Sequence, residues 1–177
     1  AELSFLKAQI NPHFLFNTLN SIYSTAITEN AQQTSTAVVK LSALMRYITN
    51  VSNKQFVPLS KELEYIGNYI DLQKNRFQET IQLVYKVEGE IGNKQIVPLV
   101  LIAFIENAFK HGINPEEESF IHISIEVKEA TLLFNIRNNK VNHTQELELS
   151  SGLGIDNTRK RLQLIYPNKH HLQIENT

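Results

Sequence analysis

The sequence predicts an α+β protein: a helical hairpin followed by helices layered on an antiparallel sheet. Three observations carry this. Apolar residues recur at spacings of three to five through the first fifty positions, the pattern of helices that bury one stripe. Strand-like alternation then appears in Ile81-Gln82-Leu83-Val84-Tyr85-Lys86-Val87, and two later runs also read as strands. Finally, helical and strand-like segments are mixed throughout the second part, after a purely helical beginning.

Taken in order, Leu3, Leu6, Ile10, Phe14, Leu15, Leu19 and Ile22 mark a first helix whose only breaker is Pro12. A polar stretch over 28–36 reads as a loop. Val38, Leu41, Leu44, Met45 and Ile48 mark a second helix ending near Asn53. Two helices bury too little apolar surface to stand alone, so a dimeric four-helix bundle is their natural completion. Ser60, with Glu62 and Glu64 behind it and Pro58 before it, opens a third helix that runs to about Phe77. After the strand closed by Gly89, residues 95–111 read as one apolar helix, with Pro98 in its first turn and Gly112 as its stop. Residues 120–127 and 131–137 are strands around a tight Lys128-Glu129-Ala130 turn. Residues 138–151 are polar and aperiodic, residues 155–166 form a helix, and His171-Leu172-Gln173-Ile174 is a last strand.

Composition narrows the classes. The 177 residues are 42% hydrophobic and 20% charged, as expected of a globular protein with a real core, and the formal net charge is −1. That balance gives no general electrostatic footprint for nucleic acid or membrane. With no cysteine, disulfides, thiol catalysis and Cys-ligated zinc are excluded. No run approaches the ~20 apolar residues of a membrane helix. The chain starts inside a helical pattern and ends just after a strand-like run, so both ends look cut and the C-terminal end truncated.

Three segments carry chemistry. In Asn11-Pro12-His13-Phe14-Leu15-Phe16-Asn17, an imidazole nucleophile sits one helical turn before an amide. Taken alone, this also reads as a helix start with a surface histidine. In Glu106-Asn107-Ala108-Phe109-Lys110-His111-Gly112, four polar residues lie at spacings of one, three and four near a helix end. An Asn carbonyl suits Mg²⁺, and Lys110 and His111 suit phosphate, although a helix also simply becomes polar at its exposed end. In Ser150-Ser151-Gly152-Leu153-Gly154-Ile155-Asp156-Asn157, two glycines before a helix allow backbone N–H groups to approach an anion, with Arg159, Lys160 and Arg161 following. A lone Gly-x-Gly is equally a plain helix entry. The segment from Lys140 to Ser151 is long enough to fold over a ligand.

Together the order N-P-H-F-L-F-N, E-N-A-x-K-H-G and G-L-G-I-x-N-x-x-x-R-L resembles sensor histidine kinases of the LytS type over nearly the whole chain. Residues 59–77, with Glu62, Tyr69, Gln73, Arg76 and Phe77, resemble that family's connecting helix. The resemblance implies a dimerisation and phosphoacceptor region over 1–55 and an ATP-binding domain of the Bergerat (GHKL) α/β-sandwich fold over 56–177. It implies His13 as the autophosphorylated residue and Asn107 as the magnesium ligand, with Glu106, Lys110 and His111 in the same nucleotide box. Gly152, Leu153 and Gly154 would flank the phosphates, supported by Asn157 and Arg161. ATP, Mg²⁺, a response-regulator receiver domain and a second copy of the chain are the implied partners. A membrane-anchored parent is also implied, with this chain on the cytoplasmic side and the membrane reached only through segments upstream.

Two departures from the family pattern stand out. The usual Asp-x-Gly-x-Gly box is replaced by Asn138-Asn139-Lys140, so an amide replaces the carboxylate that binds the adenine amino group. The residue after His13 is Phe14 rather than an acid, so the imidazole proton goes to water or to another carboxylate, for which Glu106 is the candidate. Asn17, one turn from His13, is placed to orient a water for phosphatase chemistry. The rival classes are a nucleotide-sensing or structural dimer module without turnover, which Asn138 favours, and another ATPase on the same fold, which leaves residues 11–17 unexplained.

Overall fold

A computed structural model describes residues 12–77, 81–114, 118–139 and 148–175, with backbone alone for 12–14 and 148–154. Helices α1 (Pro12–Thr28) and α2 (Gln32–Val51) form the predicted hairpin. The link between them is shorter than the polar composition of 28–36 suggests. Asn30 adopts φ 55°, and Ala31 N–H donates to the Ala26 carbonyl at 2.7 Å, so α1 stops in one tight left-handed turn. Gln32 to Thr36 then enter α2, where the Ser35 and Thr36 hydroxyls donate back to the Gln32 carbonyl.

These helices and residues 64–73 of α3 (Leu59–Phe77) make one compact unit. Leu19, Ala26, Leu44 and Val51 are buried there, Tyr47 stacks on Tyr65 with centroids 4.8 Å apart, and the Arg46 guanidinium lies 5.4 Å from the Phe16 ring centre. Lys40 Nζ donates to Asp71 Oδ2 at 2.6 Å, but both groups are partly exposed, so the pair contributes at most about 1 kcal/mol. Ile22, Tyr23, Ile27, Val39, Leu41 and Ile48 stay substantially exposed on the hairpin.

The second unit holds residues 54–63 and the chain from residue 74. Its main sheet has the order β2 (Ile81–Gly89), β4 (Ser119–Val127), β5 (Leu132–Asn138). The expectation of an antiparallel sheet holds for β4 and β5, which are joined by a turn closed by Lys128 N–H to the Thr131 carbonyl at 2.8 Å. It fails for β2, which runs parallel to β4 because residues 90–118, including a helix, intervene and return the chain in the same direction. Central strand β4 alternates cleanly: Ile121, Ile123 and Ile125 are at most 1% exposed, while His122, Ser124 and Glu126 face out. At the rim Gly89 takes φ +94°, and a Cβ there would lie 2.0 Å from the Val127 carbonyl oxygen, so only glycine fits.

Two expectations are corrected. Residues 95–111 are not one helix: Gln95 and Ile96 form strand β3, paired antiparallel with β1 (Val57–Pro58), and a turn precedes α4 (Ile102–His111). Ile96, Val97, Val100 and Leu101 are all buried, and a short apolar run satisfies a buried strand and turn as well as a helix. The last strand at 171–174 forms no ladder among the described residues. Leu172 to Glu175 instead line a cavity beside β5.

Tyr85 on β2 supplies a stability test. Its hydroxyl is buried with no hydrogen-bond partner among the described residues, and burial pushes its pKa up to about 12 from 10.0. Folded protein then holds a proton that the unfolded chain releases between pH 10 and 12, so stability present below pH 10 is lost across that window. Two units are worth about 2.7 kcal/mol unscreened, and partial exposure reduces this to about 1–2 kcal/mol. Urea titrations from pH 9 to 11.5 are expected to show a shallower alkaline loss for Tyr85→Phe, with neutral-pH stability equal or up to about 1 kcal/mol higher.

Candidate functional site

Helix α4 separates its side chains by face. Ile102, Ile105, Ala108 and Phe109 are buried, which fixes the helix in the core. Phe104, Asn107 and His111, at spacings of three and four, line a cavity of about 350 Å³. Glu106 and Lys110 lie on the exposed side and do not line it, so the polar residues of this segment are divided between two faces. Although Glu106 is exposed by area, surrounding protein raises its carboxyl pKa by desolvation.

The opposite wall comes from β5 and its end: Phe134, Asn135, Ile136, Asn138 and Asn139. Ile155 of α5 (Glu148–Ile165) and residues 172–175 complete it. The Phe104 and Phe134 rings lie 6.1 Å apart at 48°, giving the cavity an aromatic side. Its polar lining is mainly amide, and amides both donate and accept. The size and the mix of aromatic wall with few polar groups suit a small-molecule site. Among the described residues no three His, Asp, Glu or Cys side chains converge as a metal cage.

Asn138 and Asn139 are held by the end of the sheet. Asn139 Oδ1 accepts the Phe120 N–H at 2.5 Å, and Asn138 Nδ2 donates to the Asn139 carbonyl at 2.6 Å. The second contact fixes the amide orientation, since an oxygen would repel that carbonyl, and leaves Oδ1 available as an acceptor. Room for this amide comes from Gly112: a Cβ there would lie 2.6 Å from both Asn138 Nδ2 and the Ala108 carbonyl oxygen. The φ of Gly112 is −100°, so the requirement is steric. Gly112→Ala is therefore expected to lower stability by about 1–3 kcal/mol, read as a shift of the urea midpoint at unchanged slope.

The glycine segment departs from expectation. Gly152 and Gly154 do not precede a helix but lie inside α5, which starts at Glu148, so 148–151 are not part of a loop. Extending an existing helix costs less than nucleating one, and each glycine opposes it by only about 1 kcal/mol relative to alanine. The N–H groups at the start of α5 that lack intrahelical acceptors thus lie ahead of Gly152, Leu153 and Gly154. The expected cover over 140–147 lies outside the described residues. Asn157 is exposed and Arg161 half-buried on α5, and neither lines the cavity. His13 and Asn17 both lie on α1, four positions or about 6 Å apart along the axis.

Of the predicted nucleotide residues, Asn107, His111 and Asn138 thus meet at one cavity although they come from α4 and β5. Residues 1–81 match the family model described as histidine kinase. The chain is 33% identical over 165 residues to the sensor histidine kinase BtsS of Escherichia coli K12, covering 92% of this chain and 29% of that protein. It is 25% identical over 188 residues to the sensor protein LytS of Enterococcus faecalis, covering 99% and 32% respectively. The sensor histidine kinase YpdA of Escherichia coli K12 is 36% identical over 115 residues, covering 65% and 20%. The chain belongs to the sensor histidine kinases of the LytS type. It spans about a third or less of the length of these curated relatives. In this LytS-type chain, sequence reasoning missed Phe104, Phe134, Asn135 and residues 172–175 of the cavity. Phe104 was within reach, since it precedes Asn107 by three on the same helix. The others depend on where β5 and the C-terminal segment meet.

Proposed function

We propose that the chain is the phosphoacceptor and ATP-binding part of a two-component sensor histidine kinase, with 1–55 as the dimerisation region and 56–177 as a GHKL-type domain. The observation that carries this reading is the shared cavity of Asn107, His111 and Asn138 in a chain of this family. The aromatic side of the cavity suits a purine, and Asn138 Oδ1 accepts from its exocyclic amino group. Asn107 would hold magnesium through one hard oxygen donor, which suits an ion that keeps several of its waters. Bound there, magnesium supplies positive charge against the charge that develops on the transferred group.

The side chains do the rest. Lys110, Asn157 and Arg161, outside the cavity lining, are assigned as cations and donors for the polyphosphate, together with the N–H groups of the first turn of α5, ahead of Gly152, Leu153 and Gly154. A ring nitrogen of His13 attacks the γ-phosphorus, the bond to the bridging oxygen breaks, and ADP leaves with that electron pair. Glu106 is the carboxylate we assign to the imidazole proton, and Asn17 orients water for the reverse hydrolysis. The phosphoryl group then passes to an aspartate of a receiver domain. The exposed apolar residues of α1 and α2 support a homodimeric bundle. No described helix is long and apolar enough to cross a membrane; the family likeness is what supports a membrane-anchored parent with this chain on its cytoplasmic side.

Incubation of the dimeric protein with γ-labelled ATP and magnesium tests the reading. Acid-labile, alkali-stable label on the protein is expected. Mg-ATP binding without label points instead to a nucleotide-sensing module, and no binding at all removes the proposal.

A further inference from the structure

Glu62, in the first turn of α3, is 0% exposed, an unusual place for a carboxylate. Its Oε2 accepts the backbone N–H of Leu99 at 3.1 Å. Leu99 is itself unusual, with φ +60° in a region that L side chains other than Asn and Asp rarely adopt. It follows a fully buried Pro98 and belongs to the turn that feeds directly into α4. Two further hydrogen bonds hold the same segment: Val97 N–H donates to the Tyr166 hydroxyl at 3.0 Å, and Leu59 N–H donates to the Lys94 carbonyl at 2.8 Å. The entry to α4 is therefore gripped by the start of α3 and by Tyr166, just past the end of α5.

Strained backbone persists only where its surroundings over-determine it, and such strain clusters at sites that must be positioned. The turn sets where α4 begins, and a helix transmits that choice rigidly to Phe104, Asn107 and His111, one to three turns on. A plain core would place an apolar residue at 62 and glycine at 99. A buried carboxylate that holds a left-handed leucine is a costlier solution and a more exact one.

We infer that Glu62 is a positioning residue for the nucleotide cavity: by fixing the left-handed turn at Leu99 it sets the register of α4 and hence of Asn107. This rests on the nucleotide reading of that cavity. It separates the role of Glu62 from that of the groups that touch nucleotide, and it predicts a specific suppressor. Glycine adopts the left-handed conformation without help, so Leu99→Gly removes the need for the carboxylate.

The test uses the 177-residue chain with Glu62→Leu, Glu62→Gln, Leu99→Gly and the double variant Glu62→Leu/Leu99→Gly. Two quantities are read: the affinity for trinitrophenyl-ATP with magnesium, and amide hydrogen exchange across Ile102–His111. Glu62→Leu is expected to weaken binding about tenfold and to speed exchange in the first turn of α4. Glu62→Gln keeps an acceptor and stays within about threefold of the parent, and Leu99→Gly restores the Glu62→Leu protein to that range. Should Glu62→Leu fail to fold, Leu99→Gly is expected to rescue folding as well as binding. Unchanged binding in Glu62→Leu, or a double variant no better than Glu62→Leu, overturns the inference. If the parent binds no nucleotide, the nucleotide reading fails by itself, while the exchange pattern of the four variants still decides whether Glu62 sets α4.

Discussion

Replacing His13 with alanine is expected to reduce acid-labile labelling from γ-labelled ATP to background, at least about 100-fold, while Mg-nucleotide affinity stays within about twofold. The two halves of this expectation have separate physical grounds. Labelling needs a nitrogen nucleophile at the phosphoacceptor position, and alanine offers none, so no P–N bond forms. On the proposed reading nucleotide occupies the cavity between α4, β5 and α5, whose lining does not include α1. Alanine is also the better helix former, so helix propensity on α1 favours the variant. A loss of label therefore cannot be ascribed to unfolding if the melting curve is unchanged. The chain contains five other histidines, His111, His122, His143, His170 and His171, which act as internal controls. Label that survives in His13→Ala at the parent level sinks the assignment of the nucleophile.

The fold was legible where one periodicity ruled over a long segment. The hairpin helices, α3, and strands β2, β4 and β5 all follow from apolar spacing, with ends displaced by a few residues. Local signals failed where a distant partner decided. Gln95 and Ile96 became a strand because β1 lies beside them, and the direction of β2 against β4 was settled by the crossover through α4. The start of α5 at Glu148 shows the converse, since helix propagation overrode two glycines that looked like an entry loop.

For the candidate site, motif order pointed to residues that share a cavity but not to the face each one occupies. Asn107, His111 and Asn138 were found from motif order, and they do share a cavity. Glu106 and Lys110 were found the same way but stand on the outer side of α4, because the buried stripe of Ile102, Ile105, Ala108 and Phe109 fixes the rotation of the helix. Glu62 was visible as a helix-start acid and as part of the connecting-helix resemblance. Its burial and its hold on Leu99 depend on a contact 37 residues away that no local pattern encodes.

Asn107→Ala should have the other large effect. Its side chain is on the cavity face of α4 while the opposite face is packed, so truncation leaves the core intact, and alanine is favoured in a helix. What is removed is one hard oxygen donor at the position where magnesium would be held. Metal charge on a transferring phosphoryl group is worth several kcal/mol, and removing a comparable preorganised group costs 10²–10³ in rate, so His13 labelling is expected to fall about 100- to 1,000-fold. The diagnostic is the magnesium dependence rather than the rate alone. Affinity for free ATP should stay within about threefold of the parent, whereas the gain in affinity on adding magnesium should disappear. Asn107→Asp separates donor from charge: it restores an oxygen ligand but sets a negative charge beside the phosphates, so partial labelling is expected at raised magnesium only. If Asn107→Ala keeps a full magnesium response, the ion is held elsewhere, and the cavity between α4 and β5 is then at most a base-binding pocket.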